Sequence, residues 1–241
     1  MPTVRLGEIS IAYTVRVSKR ARRVSLRYSP RAGLEVVYPR GISSPPPEAL
    51  LQEKSAWVLA NRERIREASK LLPARAYLNG EVFYVLGEPY TLRLSVDPGT
   101  RHTKAICCGK SLALQLPDSP DKADLAARRK AVEACYRALA CEYLPARVGE
   151  LAAVHGFRYQ KVRVKNQKTR WGSCSSIGNI NLNLRLMMAP EAAIDYVIVH
   201  ELCHLRVLNH SPAFWLLVES CLPDYRRWRA WFNEHGASLI L

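Results

Sequence analysis

The stretch Tyr196-Val-Ile-Val-His-Glu-Leu-Cys-His-Leu205 decides how this chain is read. Its apolar lead-in, running back to Ile194, predicts a helix, and on a helix residues four apart share a face. His200 and His204 therefore present two imidazoles side by side, with Glu201 next to that face. Two such nitrogens suit two corners of a tetrahedral Zn²⁺ site at about 2.0–2.1 Å. In this H-E-x-x-H pattern the glutamate is placed to act as general base on a metal-bound water. Polar groups in so apolar a helix also need partners, because burying them unpaired is costly. A zinc ion, one per chain, would supply them.

A catalytic zinc takes a third protein ligand and keeps a fourth position open. His210 is expected to be that ligand. Leu205–Asn209 is too short for another helix but long enough to turn back, and Ser211-Pro212 has the form of a helix start. The spacing equals that of the metzincins, H-E-x-x-H-x-x-x-x-x-H, with Val207 where they carry glycine. Glu219, on the following helix, is the rival ligand. Neutral imidazole suits zinc, and with the spacing it favours His210.

Outward from the motif, the chain reads as α+β. Residues 3–40 and 76–116 alternate apolar with polar and are broken by glycine and proline turns, which predicts β structure. A helix is expected at about 45–70, opened by Ser43-Ser44-Pro45. A long helix should run from Ser119-Pro120-Asp121 to His155, kinked or divided by Pro145 and ended by Gly156. Strands follow at 159–166 and 179–186, the latter pairing as a hairpin with 170–176. Helices are expected at 190–207, after Ser211-Pro212, and at 224–235. No internal repeat or low-complexity tract stands out. The expected division is a β-rich region with one helix at 1–118 and a second domain at 119–241.

Composition bounds the partners. The 241 residues carry 36 Lys plus Arg against 21 Asp plus Glu, a net charge of +15. The cations cluster: residues 16–31 hold seven of them and residues 158–170 six, with no acid in either stretch. Such fields attract polyanions, so nucleic acid is an expected partner through 16–31 and 158–170. No apolar run approaches a membrane span, and Met1–Glu8 lack the basic-then-apolar layout expected of a secretory signal. Seven cysteines without a C-x-x-C pair read as free thiols in a reducing compartment. A cytoplasmic setting without membrane contact is expected.

Further residues carry a resemblance. Thr169-Arg-Trp-Gly-Ser-Cys-Ser-Ser176, Gly178-Asn-Ile-Asn-Leu-Asn183, the histidine helix, Asn209-His-Ser211, Phe214-Trp215 and Pro223-Asp-Tyr225 resemble the YgjP-like metallopeptidase-domain family, itself related to the SprT and WLM zinc peptidases. Ser18–Arg27 resembles that family's N-terminal segment. The resemblance implies a zincin fold over 119–241: a small antiparallel sheet packed on the active-site helix, zinc held by His200, His204 and His210, and Glu201 as the catalytic glutamate. It also implies a peptide or protein substrate.

Around that site, Tyr225 and Arg185 are donors that could steady a developing oxyanion or touch substrate. Asn179, Asn181 and Asn183 share one strand face, either solvated or functional. Trp171 reads as core. Asp195, His155 and His235 could orient the ligands from behind. The competing reading of the whole chain is a basic nucleic-acid-binding module whose zinc is structural or inert.

Overall fold

The computed structural model describes residues 2–19, 21–29, 33–41, 45–70, 75–117, 124–167 and 170–241, with backbone alone over 64–70. The helix starts expected at Ser43-Ser44 and Ser119–Asp121 lie outside the described residues. The chain forms two compact units, 1–74 and 75–241, each with its own core.

The first unit is a four-stranded sheet with two helices. β1 (Thr3–Leu6), β2 (Ile9–Ser18), β3 (Ser25–Ser29) and β4 (Gly33–Pro39) take the order β1-β2-β4-β3. β2 and β4 run parallel, and both outer pairs are antiparallel. Alternation does the sorting: Val4, Leu6, Ile11, Tyr13, Leu34 and Val36 turn inward onto Leu51 and Val58. Those last two come from α1 (Pro47–Glu53) and α2 (Ser55–Lys70). The single helix expected at 45–70 is thus broken at Lys54, whose backbone leaves the helical region.

The second unit opens with a sheet of the same plan. β5 (Val82–Val85), β6 (Glu88–Val96), β7 (Lys104–Cys108) and β8 (Ser111–Leu116) take the order β5-β6-β8-β7, again with a parallel middle pair between antiparallel outer pairs. The repeat that escaped the sequence reading is therefore topological. Its trace is short: Tyr13-Thr-Val-Arg-Val-Ser18 in β2 against Tyr90-Thr-Leu-Arg-Leu-Ser95 in β6.

α3 (Leu125–His155) is capped by the Asp124 carboxylate, which accepts from the Ala126 N–H, and ends on Gly156 in the left-handed region. It runs unbroken through Pro145, against expectation. The ring removes one N–H, but the carbonyl so freed belongs to exposed Cys141, within reach of water. Phe83, Leu92, Leu112 and Leu114 of the sheet share one core with Val132, Tyr136 and Leu144 of α3. This shared core moves the boundary from about 118 to 74/75 and makes residues 75–116 scaffold.

β9 (Lys161–Lys165), β10 (Gly172–Cys174) and β11 (Asn179–Asn183) form a third sheet, ordered β10-β11-β9. It is mixed instead of antiparallel: β10 pairs antiparallel with β11, while β9 pairs parallel with it. β11 stops at Asn183, where a 3-10 turn (Leu184–Met188) begins. α4 (Glu191–Cys203), α5 (Pro212–Cys221) and α6 (Tyr225–His235) complete the unit. α4 is buried almost all round, as an apolar helix inside a core must be. Arg147 of α3 holds it with a two-pronged ion pair to Asp195, both contacts at 2.7 Å. The β5–β6 turn docks on its start: Leu86 N–H donates to Met187 O at 2.7 Å. A β-carbon on Gly87 would stand 2.9 Å from Pro190 Cα, so only glycine allows that approach. Among the described residues no helix is long and apolar enough to cross a membrane.

Candidate metal centre

α4 ends one residue before His204, earlier than the 207 expected, because the backbone tightens into Leu205→Leu202 and Arg206→Cys203 bonds. The tightening turns the Val207 carbonyl onto His204 Nδ1, 3.0 Å away. A carbonyl only accepts, so Nδ1 carries the proton and Nε2 keeps its lone pair for a metal. The chain then reverses through a turn tied by the Asn209 side chain, which accepts from Ser211 N–H at 3.2 Å. This returns His210 to within 3.0 Å of His200, Nε2 to Nε2. The ligand nitrogens of His200, His204 and His210 lie within 4.8 Å of one another, and among the described residues no other such group of three forms.

The donor set fits zinc. Nitrogens around one tetrahedral zinc stand about 3.3 Å apart for bonds of about 2.0–2.1 Å, close to the His200–His210 separation. Metal ligands must also be unprotonated. Burial, then the neighbouring His204 and His210, holds His200 down to about 3. Burial likewise lowers His210. Phe214, fully buried, packs against all three rings, with centroids 4.4 Å from His204 and 4.9 Å from the other two. Glu219 stays out of the group; it pairs with Arg226 at 2.9 Å.

Glu201 points from α4 toward β10. Burial pushes its carboxyl up to about 8, opposed by Arg170 and by a hydrogen bond from the Cys174 backbone. Its Oε2 is buried without a hydrogen-bond partner among the described residues, as is His200 Nδ1. The fit against β10 is close: a β-carbon on Gly172 would stand 2.6 Å from Glu201 Oε1. Ahead of β10, Gln167 and Arg170 are tied to buried Asn183, whose amide donates to Gln167 O at 2.7 Å and Arg170 O at 2.8 Å. Asn181 donates to Ser173 Oγ. Those two asparagines thus hold the site's frame in place of facing solvent.

A cleft of ≈ 560 Å³ opens over the histidines. Glu201, His200 and His210 form its floor; Trp171, Gly172, Tyr196, Trp215, Arg229 and Phe232 are among its walls. Trp171 is both core and wall, packed on Phe232 at 5.1 Å. Tyr225 and Arg185 do not line the cleft. Tyr225 is buried, stacked on Trp215 at 5.5 Å, and Arg185 sits in the 3-10 turn after β11. Asp195 is committed to Arg147, and His155 and His235 close α3 and α6. No one of the three reaches the ligands. Arg229 is the residue that sequence reading missed, although 225, 229 and 232 fall on one face of α6.

The family model for the YgjP-like metallopeptidase domain matches residues 22–235. No curated protein matches the chain. Among solved structures, the metallopeptidase zymogen of Pyrococcus abyssi abylysin is similar at 23% identity and a TM-score of 0.34, over 37% of this chain and 92% of that one. The metallopeptidase zymogen of Methanocaldococcus jannaschii jannalysin is similar at 18% identity and a TM-score of 0.35, over 39% and 96%.

Proposed function

The chain belongs to the YgjP-like, metallopeptidase-domain family, and from that membership we propose that it is a zinc-dependent peptidase, with His200, His204 and His210 holding one zinc and Glu201 as general base. The observation that carries this reading is the convergence of three imidazoles beside a buried carboxyl whose Oε2 has no partner among the described residues. Zinc held there supplies a Lewis acid and a water of lowered pKa. The chain supplies the rest. Glu201 takes up a proton and hands it on to the leaving amine. Val207 O keeps His204 in one tautomer, and Asn183 holds Arg170 just ahead of β10. β10 is an edge strand, the place in its sheet where an extended peptide can be laid alongside as an added strand. Sheet edge, α4 and cleft together fit a zincin arrangement. The free thiols fit a reducing, cytoplasmic setting.

Metal content by mass spectrometry tests it. Wild type should carry one zinc per chain and His210→Ala little or none. Glu201→Gln should keep the metal and stop hydrolysis of a mixed peptide library. Wild type that takes up no zinc overturns the proposal, and zinc kept by His210→Ala but lost by Glu219→Ala moves the third ligand.

A second reading, nucleic-acid binding, has one observation of its own. Lys161, Arg163 and Lys165 stand exposed on one face of β9, and none of them pairs with a carboxylate among the described residues. In the first unit Arg16 is neutralised by Glu35, while Lys19, Arg22, Arg23 and Arg27 are exposed. Binding to mixed-sequence DNA should weaken steeply with salt and survive Glu201→Gln; a flat salt dependence removes this partner.

A further inference from the structure

We propose that Arg229 is a specificity residue that recognises a carboxylate on the substrate close to the scissile bond, so that acidic peptides are the preferred substrate class. The inference rests on the peptidase reading of the same cleft and extends it to what the cleft selects.

Arg229 lies on the wall of the cleft with its guanidinium carbon 4.6 Å from the Trp215 ring centroid. The Trp215 ring is in turn 5.7 Å from both His200 and His210. The cation is therefore one aromatic ring away from the reacting centre, within a side chain's reach of a bond held over the histidines. Stacking on a ring uses the guanidinium's face and leaves its in-plane N–H donors for a ligand. Among the described residues no carboxylate takes them up. Glu219 pairs with Arg226, and Asp224 accepts from Trp228 Nε1. The acid of the cleft, Glu201, is buried beside Gly172 and feels Arg170 instead.

The neighbours point the same way. Asn233, one helical turn on, lines the cleft beside Arg229 and adds amide donors. Trp171, Tyr196 and Phe232 make the remaining wall apolar, which lowers the local dielectric and strengthens a charge-assisted pair. A lysine or arginine of a substrate would meet Arg229 with like charge, in a chain of net charge +15. The carboxylate could come from an Asp or Glu side chain or from the peptide's own C-terminus.

Peptide binding to zinc-loaded Glu201→Gln tests this without turnover. The probes are four fluorescently labelled alanine-rich octapeptides: three amidated, with Glu, Gln or Lys at the fourth position, and the Gln peptide as a free acid. The Glu peptide should bind about tenfold more tightly than its Gln counterpart and the Lys peptide more weakly than either, as charged hydrogen bonds of this kind allow. A gain for the free acid alone would assign the site to the C-terminal carboxylate. Adding Arg229→Gln should erase the difference, and Arg229→Lys should restore part of it. Equal binding of all four, no binding of any, or a preference that survives Arg229→Gln overturns the inference. Wild type that hydrolyses peptides without acidic preference sinks only the specificity. Selective binding with no hydrolysis by wild type sinks the peptidase reading and leaves the carboxylate site standing.

Discussion

Gly172 is glycine because Glu201 occupies the space where its β-carbon would be. Gly172→Ala must move either the carboxyl or β10. It should lower kcat/KM about 100-fold, the low end of what a positioned general base contributes, while zinc content measured by mass spectrometry stays at the wild-type level. At this scale the sequence was informative wherever one helix fixed the geometry. His200 and Glu201 lie in the last turn of α4 and His204 caps it, so the four-residue spacing set both imidazoles side by side, and the short turn after them returned His210. It was silent where the partner is a backbone atom: Val207 O on His204 could belong to any residue at that position. It offered Tyr225 as a donor without placing its ring, which stacks on Trp215, and it passed over Arg229, whose relation to histidines on other elements appears only after folding.

α4 carries His200 and Glu201 and is capped by His204, so its seat on α3 decides how firmly they are held. Arg147 grips Asp195 through two 2.7 Å contacts and also reaches Glu150 at 2.6 Å. The Asp195 side chain keeps 15% of its exposure, against 33% for Arg147, so water screens the pair only in part. Asp195→Ala should cost about 1–3 kcal/mol, read as a lower urea midpoint for the second unit, with Asp195→Asn costing less. The strands of both four-stranded sheets and of β11 were legible from alternation. Their pairing was not. β9 pairs parallel with β11 although β10 comes between them in sequence, and nothing local marks a parallel partner. Pro145 misled for the opposite reason: its local effect is real, but core packing along α3 outweighs one lost hydrogen bond.

Two units with separate cores should unfold as two events. Only the second holds the three histidines, so a ligand that binds them stabilises that event alone. Removing metal with a chelator should lower one calorimetric transition and leave the other in place; a single transition that shifts as a whole would contradict independent units. The boundary was misread near 118 because composition does not change at 74. Membership of a core is set by contacts such as Phe83 and Leu114 with α3, far apart in sequence. The residues that line the cleft are also far apart along the chain, from Trp171 to Arg229, Phe232 and Asn233 of α6. A ribosome makes them in that order, so His200, Glu201, His204 and His210 all emerge before the wall that faces them. A nascent chain made past residue 210 but short of α6 can thus carry its ligands and its base while still having no closed groove in which to hold another polypeptide.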